Sequence, residues 1–299
     1  MTARANIPQP RPVRDAAGRD VGVYEYGDEG GYPVFVFHGI PSCGAGFGWA
    51  DQPARDRGLR LVAPDRPGIG LSTRVPGWHV SDYPAMVAAL ADALGLSQFA
   101  VWGYSGGGPY AVAAAAELAD RVTALAVAAG MGEVGTWASP DDFEKTDRQM
   151  LGLSLRHPRV ASAVLSSTAR LARLSPASAV KSFAKQLSAS DREVLPALGP
   201  PQEAMALFTQ AFLRGGAGVV DDYRAISGLW NVDFDAIRAP THIFQGTDDT
   251  MVPARHSDEL ARRIAGAALV SWSGEGHLAT ISHVEEILDW IAARVPSQA

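Results

Sequence analysis

Short apolar runs alternate with helically spaced apolar positions over residues 1–130 and 233–299 of the chain. Val34-Phe35-Val36-Phe37 is apolar throughout, as a parallel strand buried on both faces requires. Similar runs at 59–63, 99–102, 124–129, 241–245 and 268–272 predict further buried strands. Upstream, residues 11–15 and 21–26 flank Ala17-Gly18 and predict a hairpin. Met86, Val87, Leu90 and Leu94 share one helical face after a cap at Ser81 or Asp82, with Gly95 as the stop. Val284, Ile287, Leu288, Ile291 and Val295 predict a final helix that covers the sheet. The fold class is therefore α/β. Between 131 and about 232 the alternation stops. Helix-compatible pieces at 140–155, 158–174, 176–187 and 201–214 are punctuated by prolines. They predict a helical cap (131–232) inserted into an α/β core (1–130 and 233–299).

Candidate chemistry sits where strands end. Gly103-Tyr104-Ser105-Gly106-Gly107 follows the run at 99–102 and precedes an alanine-rich helix, the pattern of a nucleophile elbow. A serine on so sharp a turn has a strained backbone and a projecting hydroxyl, and its flanking glycines let strand and helix pass closely. Serine needs a histidine base, oriented in turn by a carboxylate. The strand at 241–245 runs into Gly246-Thr247-Asp248-Asp249, and the strand at 268–272 into Ser273-Gly274-Glu275-Gly276-His277. Parallel strands bring such ends to one edge of the sheet, where open α/β folds bind ligands.

In these motifs the chain resembles the α/β-hydrolase superfamily, over most of its length. His38-Gly39-Ile40-Pro41 is similar to that family's oxyanion segment, and Asp65-Arg66-Pro67-Gly68-Ile69-Gly70-Leu71-Ser72 to the loop after its next strand. Residues 237–240 resemble its approach to the acid loop, and Gly276-His277 its histidine loop. The resemblance implies a mostly parallel eight-stranded sheet flanked by helices, with the cap inserted after the sixth strand. It also implies Ser105 as nucleophile, His277 as base and Asp249 as acid, because the acid stands three residues after Gly246 and four before Pro253. Glu133, just past the sixth strand, is the alternative acid. Backbone N–H groups of Gly106 and Ile40 are the expected oxyanion donors, since Pro41 has none. Trp137, Phe212 and Trp230 are candidate substrate contacts in the cap.

The expected activity is hydrolysis of an ester, lactone or related acyl bond of a small, largely apolar substrate, through an acyl-enzyme. Amide or carbon–carbon hydrolysis on the same triad, or a non-hydrolytic binding protein or cyclase of the fold, are the alternatives. Superfamily members that form alkyl-enzymes need a carboxylate where Ser105 stands. No His, Cys, Asp or Glu cluster has metal-ligand spacing, and the elbow lacks the Lys-Ser/Thr of a phosphate loop, so no cofactor or metal is expected. A formal charge of −6 disfavours nucleic acid and anionic membranes as partners. The single cysteine, Cys43, excludes an intrachain disulfide. Residues 1–12 lack the apolar run of a leader, and no run approaches the roughly 20 residues of a membrane helix. A cytoplasmic location is expected.

Overall fold

The computed structural model describes residues 9–295; most of the 1–12 stretch read above for a leader lies outside them. The apolar runs form eight strands, β1 (Arg11–Arg14), β2 (Asp20–Gly27), β3 (Tyr32–Phe37), β4 (Leu59–Pro64), β5 (Phe99–Tyr104), β6 (Val122–Ala128), β7 (Thr241–Gly246) and β8 (Ala268–Trp272). They make one sheet of order β1-β2-β4-β3-β5-β6-β7-β8. The β1–β2 hairpin and the β2–β4 pair are antiparallel, and every other pairing is parallel. Phe37, Gly103, Val127, Ile243 and Leu269 form one row across five parallel strands. The loops after β3, β5, β6, β7 and β8 therefore leave the sheet along a single edge.

Helices α1 (Asp51–Arg55), α2 (Tyr83–Ala93) and α3 (Gly108–Glu117) join the early strands. Every residue from Gly108 to Ala116 in α3 is buried, and its small side chains let it lie close behind β5 and β6. Between β6 and β7 come α4 (Lys145–Arg156), α5 (Pro158–Leu174), α6 (Pro176–Ala184), α7 (Ala189–Val194), α8 (Pro201–Gln210) and α9 (Ala217–Ile226). Then follow α10 (Arg255–Arg263), α11 (Ala279–Ser282) and α12 (Val284–Ala292). In α12, Val284, Ile287, Leu288 and Ile291 are buried, as their spacing predicts, while Val295 lies beyond the helix and half-buried.

The inserted helices differ in detail from the pattern read in sequence. Pro158–Leu174 matches, whereas α7 and α9 fall where no helical spacing was evident. Helix α9 is buried nearly all round, its Asp222 forming a forked ion pair with the fully buried Arg66 (2.7 and 2.9 Å). Asp221 of the same helix pairs with Arg74 at 2.6 Å. These contacts fasten α9 to the loop after β4. Among the described residues no helix is long and apolar enough to cross a membrane.

Candidate functional site

Ser105 stands directly after β5 with φ of 54°, a left-handed backbone that a residue bearing a Cβ seldom adopts. Its surroundings leave room only for glycine. A Cβ on Gly107 would collide with the Phe37 carbonyl, and one on Gly103 would meet the Gly107 carbonyl at 2.6 Å and the Ala111 Cβ at 2.8 Å. A Cβ on Gly39 would come within 3.2 Å of the Ser105 Cβ, so the loop after β3 lies against the serine. The Met131 N–H donates to the Ser105 carbonyl at 3.2 Å and ties the elbow to the end of β6.

Two backbone donors meet beside it. A Cβ on Gly106 would sit 3.2 Å from the Ile40 nitrogen, which places the two expected oxyanion donors side by side. The Ile40 N–H makes no hydrogen bond among the described residues. Gly106 lies in the first turn leading into α3, where N–H groups lack helical partners and favour negative charge. The turn is braced from below. Neutral His38 donates from Nδ1 to the Gly39 carbonyl at 2.9 Å and accepts the Arg66 N–H at Nε2, burial and the Arg66 charge keeping its pKa well below the ordinary value. The Arg66 guanidinium also donates to the carbonyls of His38 and Gly39. Asp65 accepts the Gly44 N–H at 2.9 Å, so the pair holds loops together. Cys43 is buried, which raises its thiol pKa well above normal and removes thiolate character.

The acid and the histidine meet where the loops after β7 and β8 converge. Asp249 Oδ2 accepts from His277 Nδ1 at 2.7 Å, while its Oδ1 takes the N–H groups of Met251 (2.8 Å) and Val252 (2.9 Å). Gln245 adds a bond to Oδ2 at 3.2 Å. Both side chains are buried. Burial pushes the imidazole pKa down, but the charge and hydrogen bond of Asp249, with the charges of Asp191 and Asp147, outweigh it and leave it raised above 6.5. The His277 ring packs on Tyr104, the residue before Ser105, with centroids 5.2 Å apart. Neither Ser105 Oγ nor His277 Nε2 makes a hydrogen bond among the described residues.

The other acids are placed elsewhere. Among the described residues the exposed Asp248 carboxylate accepts only from the neighbouring Thr247 hydroxyl. Glu133 accepts the Trp230 N–H at 2.6 Å and the Thr136 hydroxyl at 2.9 Å, away from His277. His256 is fully buried. It accepts the Gly132 N–H and contacts Asp142, with its pKa pushed down to about 4 by burial and Arg255.

A recess above Ser105 is lined by Ile40, Met131, Phe143, Asp147, Leu151, Tyr223, Met251 and Val252. Trp137, Phe212 and Trp230 do not line it. Trp137 packs edge-on against the buried Trp230 (centroids 5.6 Å), and Phe212 packs against Phe208 (5.4 Å). Large size marked them in sequence, but large aromatics serve packing as readily as binding. The wall residues Phe143, Asp147, Leu151 and Tyr223 escaped the sequence reading; Asp147, Leu151 and the buried Ser154 lie at i, i+4 and i+7 on α4, the signal that could have found them. Another residue missed in sequence is Asp191 of α7, fully buried, which accepts the N–H groups of His277 (3.0 Å) and Leu278 (2.6 Å). A second recess, lined by Asp15, Pro64, Tyr83 and Leu90 among others, lies near the β1–β2 edge and contains neither Ser105 nor His277.

The alpha/beta hydrolase fold model matches residues 32–284. An uncharacterized hydrolase of Bacillus subtilis, YcgS, is 26% identical over 87% of this chain and 89% of its own. Haloalkane dehalogenase 2 of Mycobacterium tuberculosis is 35% identical, over 40% of this chain and 41% of its own. Among solved structures, an esterase of Thermogutta terrifontis superposes with a TM-score of 0.67 at 20% identity, covering 95% of this chain and 97% of that one. The match runs from the start of β3 to the first residue of α12 and spans the elbow at Ser105, and the chain belongs to the α/β-hydrolase family.

Proposed function

We propose that the protein is a serine hydrolase that cleaves a carboxylic ester, lactone or related acyl bond of a small, largely apolar substrate. The observation that carries this reading is the left-handed backbone of Ser105, which presents its hydroxyl to the recess beside two adjacent backbone donors. Ser105 Oγ attacks the acyl carbon while His277 Nε2 takes its proton. Asp249 fixes the Nδ1–H tautomer and stabilises the imidazolium. The N–H groups of Ile40 and Gly106 hold the oxyanion. His277 then protonates the leaving group, and water releases the acyl group by the same route. The hydrogen bond between Ser105 Oγ and His277 Nε2, not made among the described residues, is of the kind that forms as substrate binds.

Residues 131–232 serve in this reading as a cap, since Phe143, Asp147, Leu151 and Tyr223 from that segment share the recess with Ser105. Mostly apolar walls favour apolar acyl groups and exclude water from the acyl-enzyme. The partial likeness to a haloalkane dehalogenase does not extend the proposal to alkyl-halide cleavage, because a serine alkyl ether offers no carbonyl for water to attack. A fluorophosphonate probe tests the reading. It should label Ser105 stoichiometrically, and Ser105→Ala should abolish labelling and reduce ester turnover by up to about a million-fold. Turnover above about a tenth of wild type in Ser105→Ala would overturn the assignment.

A further inference from the structure

Asp147 is an anomaly in the recess. Most of the lining that it shares with Ser105 is apolar: Ile40, Met131, Phe143, Leu151, Met251 and Val252. Among the described residues no lysine or arginine lines the space, and the ionisable groups acting on Asp147 are Tyr223, His277 and Glu144. Its Oδ1 accepts the Tyr223 hydroxyl at 3.3 Å, and its Oδ2 makes no hydrogen bond among the described residues. A carboxylate can accept about four hydrogen bonds. Asp147 is half-buried, and its partial withdrawal from water pushes its pKa up. Tyr223 is itself buried, and it lines the recess together with Asp147.

We propose that Asp147 and Tyr223 form a polar subsite for a protonated amine, so that the substrate is an acyl compound carrying an ammonium group within reach of α4. An ammonium supplies three donors and a positive charge to the acceptor positions that the protein leaves open. A hydroxyl supplies one donor and no charge, and ranks second. The surrounding apolar wall takes the carbon chain between the amine and the scissile bond. The acidic balance of the chain, −6 overall, also draws cations toward it. This proposal rests on the serine-hydrolase reading of Ser105, and the two fail separately in the test below.

The test compares matched esters that end in a methyl, a hydroxyl or an ammonium group at the same position. The group is placed on the acyl chain in one series and on the alcohol in another. The intact wild-type protein should favour the ammonium over the methyl ester in kcat/KM by about tenfold or more in one series, with the hydroxyl between them. Asp147→Asn should bring that ratio near one. Tyr223→Phe, a milder change kept for the case in which the first variant does not fold, should reduce it severalfold. Each ratio is taken within one protein, so a general loss of rate cancels. Fluorophosphonate labelling of Ser105 is measured on every variant. Normal labelling with no ammonium preference in either series, or with a preference that both variants retain, overturns the subsite alone. Absence of labelling in the wild type overturns the hydrolase reading and the subsite with it.

Discussion

At the scale of single residues, the two adjacent aspartates offer a sharp contrast. Asp249 is buried and spends both oxygens on His277 and on the turn that follows, whereas Asp248 faces solvent. Asp249→Asn should therefore cost roughly ten-thousand-fold in kcat by favouring the wrong imidazole tautomer. Asp248→Asn should cost little, and equal losses for the two would contradict the assignment. A pH profile reads the same site. The base must be neutral, and its pKa lies above 6.5 because the surrounding carboxylates outweigh burial. The kcat/KM of the free enzyme should rise with pH through a midpoint above 6.5, and a midpoint below it would contradict this electrostatic account. The turns that carry Ser105, Asp249 and His277 were legible in sequence because each bears glycine and follows an apolar strand. Asp147 was not, since it opens a polar helix whose composition reads as solvent-facing.

Elements were legible where one local pattern decides them. Strand β3 is apolar at most positions because both its faces are buried, and α5 begins at a proline and keeps Ala161, Leu165, Ala169 and Ala172 inward. Helix α9 has no amphipathic signature, because it is buried nearly all round and its two aspartates pair with Arg66 and Arg74, far away in sequence. Helix α7 is six residues long and polar, and its importance lies in one buried side chain. Asp191 crosses from α7 to the histidine loop, and a Cβ on Gly276 would collide with it. Asp191→Ala leaves two backbone donors without partners and removes a charge that raises the His277 pKa. We expect kcat/KM to fall about tenfold or more, with kcat affected more than KM, and the pH midpoint to move down. A loss of stability with an unmoved midpoint would assign Asp191 a structural role only.

For the whole molecule, loops from one edge of the sheet and helices inserted between β6 and β7 both line the recess at Ser105. The two are joined at Arg66, which holds the carbonyls of His38 and Gly39 on one side and Asp222 of α9 on the other. Tyr110 of α3 donates to the same carboxylate at 2.7 Å. Removing one partner strands a buried charge, so Asp222→Ala should destabilise the fold by about 3–5 kcal/mol. The expected readout is a lower urea midpoint with an unchanged slope. Such long-range pairing is invisible to periodicity, which is why the core strands could be anticipated while the seating of the inserted helices could not. In the proposed reaction Ser105 carries the acyl group during turnover. Rapid mixing with an activated acetate ester, acid quenching and peptide mass spectrometry test it most directly. The account predicts a burst of one leaving group per molecule and an acetyl group on the peptide containing Ser105, both absent from Ser105→Ala. A linear time course with the acetyl group on another residue, or a burst that survives in Ser105→Ala, would contradict it.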